Sequence, residues 1–290
     1  MPTFNSEELL EKSIESVISQ TYKCFELLII DNNSTDNTSQ IISKYKDSRI
    51  TYIKISNKGI IAKSRNLGIE ISRGNWIAFL DSDDIWFPKR LEKICQLITK
   101  KKDLDVITTN EYKVFKNSKR REKLFYGISS KNKYKSLLLY GNRLSPSATV
   151  VRKKFLKINS ISFCEKKEFV TVEDYDLWLT IANKNAKFYF LKTFQGEYLI
   201  HEKNTSAKIS THNLNLKNLL KYHVYQVQNF DKNKEELFFK LMNSREFIFS
   251  IKKRNFKEAF FIMNKSPNFI FRFLLLKTFN KIKDELFFFK

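Results

Sequence analysis

The sequence predicts an α/β domain with a mostly parallel central sheet flanked by helices, continued by a helical C-terminal extension. Three observations carry this expectation. Largely apolar runs at 25–30 and 76–80 lack polar alternation, which marks strands buried on both faces. Segments with helical spacing separate the runs, as in βαβ units. Gly (6) and Pro (4) are too scarce for a many-turned all-β chain.

The elements follow in order. Asn5 and Glu8 have the spacing of an N-cap and its capping-box partner, so a helix is expected after them through Leu10, Ile14, Val17 and Ile18. The run at 25–30 ends in Asp31-Asn32-Asn33-Ser34-Thr35-Asp36, a stretch of loop and cap residues. A helix through Ile41, Ile42 and Tyr45 comes next, then a strand at 50–55, a helix at 59–72 and a strand at 76–80. Pro88 opens a helix reaching 101, and a short strand covers 106–109. Residues 112–145 are Lys-rich and weakly patterned, and read as a partly mobile insertion. A strand at 147–151, an amphipathic helix from Asp174 to Ala182, and strands at 187–191 and 197–200 complete the pattern. The composition then shifts: 15 of the 27 Phe lie beyond Leu220, among Lys and Arg. The expected division is a domain over 1–212 and a basic, Phe-rich helical extension over 213–290.

Composition bounds the function classes. A hydrophobic content of 42% makes the chain globular and not disordered. The net charge of +22 favours an anionic partner or reflects Lys-rich solvated faces; the spread of Lys along the chain leaves both open. Cys24, Cys95 and Cys164 lie far apart without CxxC spacing, which suits a reducing compartment and neither a disulfide framework nor a zinc knuckle. Neither a secretory signal nor a membrane-spanning run of about 18 apolar residues is expected.

One stretch departs from the basic character. Residues 77–80 lead into Asp81, Asp83 and Asp84. Two carboxylates about 4 Å apart repel by about 1 kcal/mol in water and about 4 kcal/mol at a surface-like dielectric, so a positive partner is expected. Asp31 also follows a strand, and ligands in open parallel sheets bind beyond the carboxyl ends of strands, so the two acidic positions should converge. The plainer readings are helix capping for Asp83 and Asp84, a turn-forming role for Asp31, and a solvated helical position for Arg65.

The order of these pieces resembles family 2 glycosyltransferases of GT-A fold. PTFN at 2–5, ELLIIDNNSTDNT at 26–38, NKGIIAKSRNLGIEISRGNWIAFLDSDD at 57–84, SATVVRKKFL at 147–156 and VTVEDYDLWLTIA at 170–182 carry the resemblance. It implies a metal-dependent, inverting transferase that moves a sugar from a nucleotide-diphosphate donor to a glycan hydroxyl. Asp81 and Asp83 would form the Asp-x-Asp element, with Asp83 holding Mg2+ or Mn2+ and Asp81 on the ribose side of the nucleotide. Thr3 and Asp31 would lie near the base, which makes a UDP-sugar the expected donor, and Arg65 would reach base or phosphates. Asp174, beside Glu173, would be the catalytic base. His201 in IHEKNTS would contact metal or phosphate, with a structural role as its alternative. Trp178 would line the acceptor site or belong to the core.

The same resemblance makes the opening of the chain unusual. The family has a buried strand just before the position of Pro2, so that strand is expected to be missing or upstream of Met1. It would sit between the strands carrying Asp31 and Asp81.

Two other classes predict different features. A nucleotidyltransferase on a related fold needs a Gly-rich phosphate loop near the start, which PTFNSEELLEKS lacks. A P-loop enzyme is excluded because GxxxxGK[ST] does not occur. A basic nucleic-acid-binding protein would carry aromatic RNP-like strands or a recognition helix, and neither is legible, so no nucleic-acid partner is expected. Residues 269–276, beside Lys-rich flanks, suit either a helix lying on an anionic membrane or a helical subdomain with its own core. The expected setting is cytoplasmic, peripheral on the inner face of the membrane, with a lipid-linked glycan acceptor in bacterial surface polysaccharide or lipooligosaccharide synthesis.

Overall fold

The computed structural model describes all residues except 129, 203–208, 253–254, 266, 268–269, 271–273 and 275–290. The first half is a parallel βα layer. Strands β1 (Pro2–Thr3), β2 (Leu27–Asp31) and β3 (Ile50–Lys54) lie in that order, with helices α1 (Leu10–Ile18) and α2 (Thr38–Ser43) as crossovers. Helix α1 buries Leu10, Ile14 and Val17 against Leu27 and Ile29, as its 3.6-residue spacing demands. Its start differs from the capping-box expectation. Leu9 is the N-cap without a side-chain bond, and Asn5, at φ 47°, accepts from the Thr35 amide instead. Residues 5–8 are recruited to pin the loop after β2, where Glu7 also accepts from the Asn37 amide at 3.0 Å.

The second half is a mixed sheet. Helix α3 (Ile61–Ile71) leads to β4 (Trp76–Ala78), then β5 (Ile85–Trp86), α4 (Arg90–Lys100), β6 (Val106–Phe115), β7 (Ser118–Leu124), α5 (Lys133–Tyr140), β8 (Thr149–Arg152), α6 (Lys153–Ile158), α7 (Glu173–Asn183) and β9 (Phe188–Ile200). The strand order is β4-β8-β6-β9-β5, with β7 paired to β6. The β6–β9 pair is parallel; the others are antiparallel.

Two expectations are corrected here. Residues 112–145 are not a loose insertion, because β6 runs on to Phe115, turns into β7 and is followed by α5. Their order comes from cross-strand packing that weak patterning hides: Tyr112 stacks on Phe194 of β9 at 4.4 Å, and the Arg121 guanidinium lies 3.6 Å from the Tyr112 ring centre. The strands expected at 187–191 and 197–200 are one strand, β9, whose register against β6 shifts between Thr109 and Tyr112.

The main core sits under α7, whose Leu177, Trp178, Leu179 and Ile181 are fully buried. Trp178 is a core residue, edge-on to Phe79 at 6.3 Å. Helices α8 (Ile209–Tyr222) and α9 (Lys234–Lys252) add Leu219, Leu220, Leu237 and Leu241 to this core. Helix α10 (Phe256–Lys265) packs on α9 through Ala259 and Ile262, and its Phe256, Phe260 and Phe261 are more than 60% exposed. Most of the apolar segment 269–276 lies outside the described residues. Among the described residues no helix is long and apolar enough to cross a membrane.

The two sheets do not join. Among the described residues Met1, Pro2 and Thr3 lie along the free edge of β2, and a cavity of about 570 Å3, partly open to solvent, lies between β2 and β4.

Candidate active site

The site forms where β1, β2 and β4 end. Parallel pairing sets Thr3 directly beside Asp31. Both are buried, and the Thr3 hydroxyl has no hydrogen-bond partner. Asp31 Oδ1 accepts from the Ser34 amide at 3.0 Å and the Ser34 hydroxyl at 2.5 Å, while Oδ2 accepts from the Tyr52 hydroxyl at 2.7 Å. Burial and then this bond hold the Tyr52 phenol above its usual range. Oδ1 is filled by these two donors, and Oδ2 keeps acceptor capacity for one more.

The acids after β4 divide into distinct environments. Asp84 is 1% exposed; it accepts from the Ser147 hydroxyl at 2.5 Å and from the Leu199 amide at 3.0 Å. It therefore ties β8 and β9 to the Asp-x-Asp loop and does not cap α4, which starts at Arg90 with no side-chain cap. Burial, then the charges of Asp83, Glu111 and Asp81, hold its carboxyl well above the usual range. Asp83 pairs with His201 Nε2 at 2.8 Å, bringing together two residues 118 positions apart. Burial and then the Asp81 charge push Asp83 upward, while His201 opposes the shift. Ser82 is held against α1 by the hydroxyls of Ser6 and Ser13.

The positive partner expected for these acids is Arg65. Its side chain is buried, not solvated. Nη2 donates to Asp81 Oδ1 at 2.8 Å and Nη1 to Glu173 Oε1 at 2.7 Å, with the guanidinium packed against the Phe163 ring. Burial opposes its charge, but the carboxylates of Asp81 and Glu173 outweigh that and keep it firmly protonated. One fork thus binds the β4 end to the start of α7, whose Glu173 lies 108 positions from Arg65.

Asp174 stands next to Glu173 in the first turn of α7. Its Oδ2 accepts from Asn142 Nδ2 at 3.0 Å and its Oδ1 from the Tyr175 amide at 2.7 Å. Burial and then the Glu173 charge push its carboxyl up to about 7, against the pull of Arg65. A carboxylate with that affinity exchanges protons near neutrality. The residues that hold this site and escaped the sequence reading are Ser34, Tyr52, Asn142 and Ser147. Ser34 lies in the loop-and-cap stretch after β2, but nothing local marks Tyr52, Asn142 and Ser147, whose partners lie 21, 32 and 63 positions away.

Among the described residues, no group of three or more His, Cys, Asp and Glu side chains forms a metal cage. Asp83 and His201 supply a two-donor pair, and Mg2+ characteristically takes one or two carboxylates and completes its shell with water and substrate phosphates. The donor set therefore fits a cation that arrives with a diphosphate.

A parallel βα half beside a mixed sheet, with acids gathered at the strand ends, is a GT-A-like fold. The chain belongs to glycosyltransferase family 2: the Glycosyl transferase family 2 pattern matches residues 1–158. It is 31% identical over 221 residues to WfaP of Escherichia coli, named as a UDP-Glc:alpha-D-GlcNAc-diphosphoundecaprenol beta-1,3-glucosyltransferase, covering 75% of this chain and 82% of that one. It is 29% identical to the uncharacterized glycosyltransferase MJ1057 of Methanocaldococcus jannaschii, covering 98% and 92%. In fold it is similar to Staphylococcus aureus TarS 1–349 in complex with UDP-GlcNAc, with a TM-score of 0.67 and 23% identity over 86% of this chain and 71% of that one. The protein is a glycosyltransferase enzyme, and its relatives include proteins of bacterial polysaccharide synthesis.

Proposed function

We propose that the protein transfers one sugar, with inversion, from a UDP-sugar to a hydroxyl of a lipid-linked glycan in the building of a bacterial surface polysaccharide or lipooligosaccharide. The observation that carries the reading is the Arg65 fork, which puts Asp81 and the Glu173-Asp174 pair in one site. Thr3 and Asp31 would bind the uracil edge, Asp31 accepting from the imide N–H, and Asp81 would bind the ribose side. Asp174 would take the acceptor hydroxyl proton as that oxygen attacks the anomeric carbon from the face opposite the diphosphate. The bond from that carbon to the phosphate oxygen then breaks, and the nucleoside diphosphate leaves with the electron pair. Asp83 with His201 would hold a divalent cation, whose Lewis acidity stabilises charge on the leaving diphosphate.

Calorimetric titration of UDP, GDP, CDP and TDP, with and without manganese, tests this reading. UDP should bind only with manganese, and Asp83→Ala should weaken it at least tenfold. Equal binding of all four nucleotides, or metal-independent binding unaffected by the substitution, would remove it.

The lipid-linked acceptor fits a cytoplasmic protein docked on the inner membrane face by the extension at 213–290. Three exposed Phe on the Lys-bearing helix α10 support that contact. Cosedimentation with anionic vesicles should fall severalfold when Phe256, Phe260 and Phe261 are changed to Ser. Undiminished binding would rule α10 out as the contact.

A further inference from the structure

Side chains of the C-terminal helices grip both segments that frame the Glu173-Asp174 pair. From α8, Asn215 Nδ2 donates to the Val170 carbonyl at 2.6 Å, and His212 Nδ1 lies 3.2 Å from the Thr171 hydroxyl. The backbone just before α7 is therefore held from outside. Thr171 stands at φ 74°, a region costly for a β-branched residue, so this turn needs such support. His223, fully buried directly after α8, sets Nε2 2.9 Å from Asp176 Oδ1 on α7 and Nδ1 3.3 Å from the Tyr134 hydroxyl on α5. It links those two helices near the start of each.

Arg245 of α9 joins the same helices at the far end of α5. Its Nη2 donates to the Leu138 and Leu139 carbonyls at 3.3 and 3.4 Å. Its guanidinium also meets the Tyr175 hydroxyl, which donates to the Leu137 carbonyl at 2.6 Å. The last carbonyls of a helix have no partner within it, and a cation there faces the negative end of the helix dipole. The chain then turns through Gly141 at φ 96°, with Arg245 Nη2 3.6 Å from where a Cβ would stand. Asn142 comes next. Its Oδ1 accepts from the Leu144 amide at 3.1 Å, which fixes the direction of the side-chain amide and aims Nδ2 at Asp174 Oδ2, 3.0 Å away.

We propose that Arg245 is a positioning residue for the catalytic base: it locks the end of α5 against α7 and so sets the Gly141-Asn142 turn, whose side-chain amide holds Asp174. Residues 209–252 thereby act as part of the active centre. The catalytic consequence rests on Asp174 being the base proposed above; the geometry does not. The groups facing Asp174 are Glu173 on its own helix, Arg65 from α3, the Tyr175 phenol and Asn142. The Asn142 bond favours the ionised carboxyl, so loosening it raises the proton affinity of Asp174.

The full chain is compared with Arg245→Met, Arg245→Lys, Asn142→Ala and the double variant Arg245→Met with Asn142→Ala. Turnover is measured beside the carboxyl carbon-13 titration of Asp174, whose signal is identified by its loss in Asp174→Asn. Arg245→Met should raise the Asp174 midpoint by about 0.5–1 pH unit and lower kcat about tenfold, with UDP affinity within a few-fold of the parent. Asn142→Ala should do the same, and the double variant should do no more than either single, because both act through one hydrogen bond. Arg245→Lys keeps the charge but cannot span two carbonyls and a phenol, so its midpoint should rise by about half as much. A lower melting midpoint with parent-like titration and kcat would reduce Arg245 to a structural role and overturn the proposal. So would additive shifts in the double variant, or a parent-like titration in Arg245→Lys, since either marks a direct effect of the arginine charge. If Asp174→Asn keeps turnover within tenfold, the base reading fails by itself, and the titration still decides the positioning. If Arg245→Met does not fold, Arg245→Lys alone and combined with Asn142→Ala carries the comparison.

Discussion

Replacing Asp174 by Asn is expected to cut kcat by about 10^2–10^4-fold while leaving UDP affinity within a few-fold of the parent. The amide keeps the size of the carboxyl group and can still meet Asn142, but it cannot accept the acceptor's proton. The pH dependence follows from the same group. With a carboxyl pushed up to about 7 by burial and the neighbouring Glu173, the basic form is scarce at pH 5. The kcat/KM of the parent should therefore rise about tenfold per unit up to about pH 7 and then level. A profile flat from pH 5 to 7, or a variant within tenfold of the parent, would take the base role away from Asp174.

Stability should move the other way. The folded carboxyl binds its proton more tightly than the unfolded one, whose ordinary value is about 3.9. Its favourable contribution is therefore present below about pH 4 and is lost as pH rises through about 7. The Asn variant should melt higher than the parent at pH 8, with the gap closing near pH 4. Such an exchange of stability for chemistry is common at active sites.

Arg65→Ala should be the most damaging single substitution at the site. The fork is buried between Asp81 and Glu173, so its removal leaves like charges facing one another without a cation. Breaking a buried pair in this way costs about 3–5 kcal/mol, on the order of 10 °C in melting midpoint. Transfer should fall together with stability, because the β4 end and the start of α7 are no longer held to one another. Arg65→Lys keeps the charge but offers one ammonium where two nitrogens reach two separate carboxylates, so it should recover stability only in part. A melting midpoint within about 2 °C of the parent for Arg65→Ala would show that the fork is incidental.

The sequence by itself determined the alternation of strands and helices, and with it the placement of Asp31 and Asp81 at strand ends. Both are local properties: the run at 27–30 is apolar enough to be buried on both faces, and the polar residues after it have nowhere to go but the rim. It also carried the family, through motifs whose order and spacing survive in the linear chain. The tertiary structure alone decided who partners whom. Asn5 and Glu8 look like a capping box, yet a loop 30 residues away takes Asn5, and Glu7 with it. Residues 112–145 look structureless until Phe194 arrives to stack on Tyr112. Arg65 reads as a solvated helical residue in its plainer reading, and becomes the buried fork joining two acids that lie 16 and 108 positions away. Such pairings depend on the distance between side chains after folding, and periodicity along a chain contains no information about that distance.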